Sequence, residues 1–316
     1  MADPQQLPIY DAHAHLVSDD PVRYPRNGFT VARTPGPSRA QLPPFGPGTV
    51  GIPGGMHGSA PVNEKPTAEQ MRDWMAEEGV VGIAAVQKGM IYGTDNSYIM
   101  DAAESFPDRM HAVIIVDPIE EKTLPLMRAG AKRGIVGIRF FPVNIEDKAG
   151  WLKSPEALAV WQLADELGLV VDIEGPKEDW WQMMLVIEEF ARRFPDLRIV
   201  LDHVYLPVLP IDNEAGFSID FCFEELAACD NITYKFTCLN MDVIREQGVQ
   251  PHRVLRRLVD FYGADKMMWG SDIGTSSGTY KEMVSRAIEA TSLLSDEERR
   301  KVLHDTGRRV FTGWTG

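Results

Sequence analysis

The chain has 316 residues, 44% of them hydrophobic, which is enough apolar side chain for one large α/β core or two smaller ones. A formal net charge of −14 and a pI near 5.0 argue against nucleic acid as a partner, because phosphate binding needs clustered Lys and Arg. No apolar run approaches transmembrane length, the start Met1-Ala2-Asp3-Pro4 has neither region of a signal peptide, and Cys222, Cys229 and Cys238 form no Cys-x-x-Cys pair. Reduced thiols, a cytoplasmic location and no membrane contact are therefore expected.

The first apolar run, Ile9-Tyr10-Asp11-Ala12-His13-Ala14-His15, reads as a β-strand. Alternate residues of a strand share a face, so His13 and His15 present two imidazoles to one side, suited to a metal ion or a substrate carbonyl. Residues 18–66 follow, crowded with Pro and Gly and poor in apolar periodicity, and they read as one long loop. It contains Arg23, Tyr24, Arg33 and His57, each a candidate to touch substrate. A helix then opens at Thr67, where Thr67 and Gln70 have capping-box spacing, and runs to Glu78. A strand is expected at 80–86, a helix at 95–105 with Asp95 as N-cap, and strands at 110–116, 135–140 and 169–173. A long helix at 178–193 precedes strands at 197–202, 232–236 and 266–271. His111, at the start of its strand, and His252 and His304, on helices, read as structural; Met183-Met184 and Met267-Met268 read as core.

Eight strands with intervening helices fit a (β/α)8 TIM barrel, a single domain over 1–316 with the 18–66 loop inserted across its active-site face as a lid or substrate-shaping wall. In such a barrel the reacting groups gather at the C-terminal strand ends. Those ends carry Arg139, Glu174, Asp202-His203 and Ser271-Asp272. Two histidines from the first strand, His203 from the sixth and Asp272 from the eighth make a kit for hydrolysis: imidazoles to hold a metal or polarise a carbonyl, and Asp272 to take a proton from water. Lys235, on the seventh strand, is a candidate to bind an anion if its register turns it inward.

The segments Asp11-Ala12-His13-Ala14-His15, Tyr92-Gly93-Thr94-Asp95-Asn96, Phe106-Pro107-Asp108-Arg109, Gly137-Ile138-Arg139-Phe140, Asp202-His203 and Trp269-Gly270-Ser271-Asp272 give the chain a family likeness. It resembles the amidohydrolase-related family, the second amidohydrolase group, and within it the branch of 2-pyrone-4,6-dicarboxylate lactonase and other small-acid lactonases. The resemblance implies a (β/α)8 barrel that hydrolyses a cyclic ester, with His13, His15 and His203 activating the carbonyl, Asp272 activating water, and Arg139 gripping a substrate carboxylate. Many metal-dependent members carry a histidine where this chain has Glu174. Glu174 would complete a His13/His15/Glu174/His203/Asp272 site suited to zinc or manganese, whereas other members of the branch polarise the carbonyl with histidines and an arginine alone. Where the lactonase has a small hydroxyl residue this chain offers Lys88, a further candidate for substrate binding. The expected activity is hydrolysis of a small carboxylated lactone in catabolism. The alternative is a metal-dependent non-oxidative decarboxylase of a carboxylated aromatic or unsaturated acid. The partner is a small carboxylic acid, and assembly into a homo-oligomer is compatible with the composition.

Overall fold

The computed structural model describes residues 7–29, 64–174, 180–205, 224–246 and 248–315. Its strands are β1 (Ile9–Ala14), β2 (Val80–Val86), β3 (Met110–Val116), β4 (Gly137–Phe140), β5 (Val170–Ile173), β6 (Ile199–Leu201), β7 (Ile232–Thr237) and β8 (Met267–Gly270). They form one parallel sheet in sequence order, the nearly closed barrel that the alternation of strands and helices predicts. Register brings Arg139 opposite Asp172, so charged side chains of the neighbouring strands β4 and β5 share one level of the barrel interior. The seam between β1 and β8 is closed at the top, where Asp272 N–H donates to His13 O at 2.7 Å and His15 N–H to Ile273 O at 3.2 Å. Gly270 makes that approach possible, since a Cβ there would meet the His13 Cβ at 2.6 Å.

The helix Ala68–Glu78 begins at the expected capping box, in which Thr67 accepts from the Gln70 N–H and the Gln70 side chain reaches back to the Thr67 N–H, a device worth about 1 kcal/mol. Asp95 is not the N-cap of the next helix. That helix is Ser97–Ser105 and its cap position is Asn96. Asp95 Oδ1 accepts from the backbone and hydroxyl of Ser97, while buried Asn96 ties the helix start to β3 by accepting from Ile115 N at 2.9 Å and donating to Ile115 O at 2.8 Å. The sixth strand also stops short of the expected 197–202. Asp202–Tyr205 is a tight turn, and His203 (φ 53°) and Val204 (φ 51°) take the left-handed conformation that bends the chain off the sheet.

Of the 18–66 loop, residues 30–63, with Arg33 and His57, lie outside the described residues, as does Cys222. Arg23 and Tyr24 are described, and both bind Asp101 on the helix Ser97–Ser105, at 2.9 and 2.7 Å, rather than the strand ends. His111 is held at the bottom of the barrel by the Tyr10 hydroxyl at 2.8 Å, and Cys229 and Cys238 are buried free thiols. Among the described residues no helix is long and apolar enough to cross a membrane.

Candidate active site

A buried layer of ion pairs fills the upper interior of the barrel. Arg139 from β4 bonds Asp202 at the end of β6 through Nε at 2.7 Å and Nη2 at 2.5 Å, and its Nη2 also pairs with Glu174. Lys235 from β7, with no exposed surface, pairs with Asp172 and lies 2.9 Å from Asp202 Oδ1. Burial alone would raise the Asp202 carboxyl, but Arg139, Lys235 and His13 together hold it well below the usual carboxylate range, so it is ionised. Asp172, with fewer partners, is pushed up to about 8, mainly by burial and by the neighbouring Asp202 charge. The Arg139 guanidinium, expected to meet a substrate carboxylate, is thus closed over two carboxylates of the chain itself. Lys235 likewise stands beneath His13 and meets Asp172 and Asp202, not an anion from solution.

Above this layer the histidines converge. His13 Nδ1 donates to Asp202 Oδ1 at 3.1 Å, and His15 Nδ1 donates to Val86 O at 2.8 Å. Lys235 Nζ also lies 3.1 Å from His13 Nδ1, but an ammonium already bonded to Asp172 and to the ionised Asp202 is a weaker claimant on that nitrogen than an ionised acceptor is on its proton. With both Nδ1 atoms protonated, both Nε2 atoms are bare, and they face each other at 3.3 Å. Asp272 Oδ1 completes the cluster, 3.7 Å from His13 Nε2 and 3.3 Å from His15 Nε2. Burial lowers both imidazoles, His13 well below its usual range and His15 to about 4, so neither brings a second proton near neutral pH. The Asp272 carboxyl, packed against His15, His203 and His13, lies below the usual carboxylate range and is ionised.

Three lone pairs therefore point at one small volume, and Asp272 Oδ1 is a buried acceptor with no hydrogen-bond partner of its own. Such an arrangement fits a cation. His13, His15 and Asp272 form one group of donor atoms close enough to share an ion, and His13, Asp202 and His203 form another. Glu174 belongs to neither group among the described residues; it pairs with Arg139, and its Oε2 is 3.8 Å from His203 Nε2. Asp272 itself is held in a left-handed backbone (φ 53°) and is fixed by the Ser276 hydroxyl, which donates to Oδ2 at 2.9 Å, so Oδ1 is left aimed at the histidines. Lys88, at the end of β2, reaches across to hydrogen-bond Thr275 in the turn after Asp272, and burial pushes its ammonium down to about 8.

The structure brings His13, His15, His203, Asp272, Lys88, Arg139, Glu174 and Lys235 to one end of the barrel. Sequence reasoning gave no role to Asp202, the carboxylate shared by His13, Arg139 and Lys235, nor to Asp172. It also passed over Asp11, whose Oδ1 accepts from the Ser271 N–H at 2.8 Å and the His13 N–H at 3.1 Å and so fastens the two halves of the cluster together. A signal existed: each is an acidic residue inside an otherwise apolar strand run, where a charge is retained only if partners await it.

Comparison with known proteins identifies the family and the barrel. The family model described as Amidohydrolase matches residues 10–312. The 4-sulfomuconolactone hydrolase of Hydrogenophaga intermedia is 28% identical over 234 residues, 70% of this chain and 71% of that protein. A solved structure from Acinetobacter baumannii, described as a probable 2-pyrone-4,6-dicarboxylic acid hydrolase with citric acid bound, superposes with a TM-score of 0.64 at 15% identity, covering 97% of this chain and 99% of that one. An amidohydrolase from Burkholderia multivorans with bound zinc superposes with a TM-score of 0.60 at 17% identity over 77% of this chain and 87% of that one. The two structural likenesses establish the barrel. Since the family match runs from β1 into the last helix, the chain belongs to the amidohydrolase family of hydrolases.

Proposed function

We propose that the chain opens a small anionic lactone, with Asp272 as the base. The observation that carries this reading is the buried meeting of three unprotonated donors, His13 Nε2, His15 Nε2 and Asp272 Oδ1, at the mouth of a barrel. Water attacks the lactone carbonyl while Asp272 Oδ1 accepts its proton. The tetrahedral carbon then expels the ring oxygen, and Asp272 returns the proton to it, giving a hydroxy acid. Even an ordinary carboxylate is a weak base toward water, so the attacking water must be acidified and the carbonyl polarised. Bare imidazole nitrogens accept hydrogen bonds and donate none, so that polarisation falls to a cation.

A divalent ion such as zinc or manganese held by His13, His15 and Asp272, with His203 beside them, would supply Lewis acidity to both the carbonyl and the water. Lys88 is the ammonium best placed to meet the substrate's acid group, while Arg139 acts from behind by fixing Asp202 and, through it, His13. The likeness to a sulfo-substituted lactone hydrolase supports an anionic lactone as substrate.

The test is proton release from carboxylated, sulfonated and neutral lactones by the wild-type protein and Asp272→Asn. The substitution should leave the melting temperature and KM nearly unchanged and lower turnover by about 10²- to 10⁴-fold. If no lactone in the panel is opened faster by wild type than by the variant, the reading fails.

A further inference from the structure

Behind His203 lies a buried chain of polar groups that the hydrolysis reading leaves unexplained. Thr237 ends β7 and Asn240 lies in the first turn of the following helix, Cys238–Glu246. Thr237 is 0% exposed, Asn240 7% and His203 4%, so hydrogen bonds among them meet little competition from bulk water. Asn240 Nδ2 donates to His203 O at 2.8 Å, and Asn240 Oδ1 accepts from the Thr237 N–H at 2.9 Å. A backbone carbonyl can only accept and a backbone N–H can only donate, so these two contacts fix which way the amide points. The Thr237 hydroxyl lies 3.1 Å from the same Oδ1, and two oxygens at that distance need a proton between them. That proton can come only from Thr237. The hydroxyl's lone pairs are then left for His203 Nδ1, 2.7 Å away, which must be the protonated ring nitrogen.

From this polarity we infer that Asn240, acting through Thr237, is a positioning residue that sets the tautomer of His203, placing the proton of the neutral ring on Nδ1 and turning Nε2 toward the site. The inference about the tautomer stands on the hydrogen bonds alone; its consequence for turnover rests on the lactone reading above. A bare Nε2 can accept a proton or hold a cation, and it cannot polarise a carbonyl by donation. His203 would thus match His13 and His15, whose Nδ1 protons are also committed, to Asp202 and Val86 O. The same amide has a second task. His203 and Val204 are consecutive left-handed residues, a conformation that L-amino acids rarely hold and a β-branched valine least of all. The Asn240 bond to His203 O latches that turn from below.

Histidine side-chain ¹⁵N NMR on the protein as purified tests the inference directly. His203 should show a protonated Nδ1 and an unprotonated Nε2, and the opposite tautomer in wild type would overturn the proposal without any variant. Thr237→Ser, which keeps the hydroxyl, should retain both tautomer and turnover. Thr237→Val should release the tautomer and lower kcat about 10- to 100-fold while KM stays within about threefold. Asn240→Asp keeps the acceptor but loses the donor, so it should retain the tautomer and lower the melting temperature. A Thr237→Val protein with the wild-type tautomer and with kcat within about twofold of wild type would show that the pair only caps a helix. Should the tautomer be as described but no lactone be opened, the positioning pair stands and the substrate reading alone falls.

Discussion

Two neighbouring clusters inside the barrel are built to opposite rules. In the lower one each cation meets two carboxylates: Arg139 holds Asp202 and Glu174, and Lys235 holds Asp172 and Asp202. In the upper one His13 Nε2, His15 Nε2 and Asp272 Oδ1 face one another with no proton among them. A buried charge costs several kcal/mol unless it is paired, so the lower cluster, whose cations all meet acidic groups of the chain although Asp172 Oδ1 has no partner, reads as structure, and the upper one, three acceptors converging without a cation, reads as a site. Asp202 joins the two. By accepting a hydrogen bond from His13 Nδ1–H it keeps the ring proton on Nδ1 and leaves Nε2 bare, so a carboxylate of the lower layer sets the state of the layer above.

The largest expected effect comes from removing what the upper cluster would hold. Prolonged chelation should bring lactone hydrolysis to background, and zinc or manganese should restore it, with little change in the melting of the barrel because the ion pairs of the lower cluster do not involve the ion. Full activity in protein shown by elemental analysis to be metal-free would instead assign the polarising charge to Lys88. Glu174→Gln sharpens the comparison. Glu174 pairs with Arg139 and lies outside both donor groups, so its neutral isostere should retain metal, and loss of metal from the variant would place Glu174 in the upper cluster.

Much of this contrast was legible in the chain. Strand alternation places His13 and His15 on one side, and the strand ends nominate His203 and Asp272, because a period of two and a barrel's polarity need no knowledge of partners. Partners are what the sequence withheld. That Arg139 is closed by Asp202 and Glu174, or that Lys235 points inward beneath His13, depends on register between strands separated by whole helices. Asn240 is hidden for a related reason: three residues past a strand it looks like a helix start, and only the fold brings it to the carbonyl of His203. The shortened sixth strand has the same origin, since the left-handed turn at His203 is imposed by the site and not by any local propensity of His-Val.

A smaller effect on rate, but a large one on stability, should follow from breaking the lower cluster at Arg139. Arg139→Met leaves Asp202 and Glu174 buried with one cation fewer, and losing one partner of a buried pair costs about 3–5 kcal/mol. Turnover should fall as well, because an unanchored Asp202 no longer orients His13. If the guanidinium is committed to the chain, carboxylated and neutral lactones should lose kcat/KM by the same factor. A loss confined to carboxylated substrates would show that Arg139 leaves Glu174 to grip the substrate, and it would move Arg139 from the lower cluster to the upper.

The smallest effect is a pH dependence at Lys88, the group that bridges from β2 to the turn after Asp272. Burial, opposed in part by Asp272 and Glu174 and reinforced by Arg139 and Lys65, brings its ammonium from an ordinary 10.5 down to about 8. If that ammonium meets the acid group of the substrate, kcat/KM for an anionic lactone should decline above pH 8 by about one power of ten, the worth of one hydrogen bond to a charged group. Neutral lactones should show no such decline. Stability moves the other way: between about 8 and 10.5 the unfolded chain binds more of this proton than the folded one, so this lysine's contribution to stability rises with pH there. Alkaline unfolding would lower rate and stability together, whereas deprotonation of Lys88 lowers the rate alone. Lys88→Arg, charged throughout, should remove the decline, and a Lys88→Met protein that still shows it would clear Lys88 of the role and return the search for the substrate's cation to Arg139.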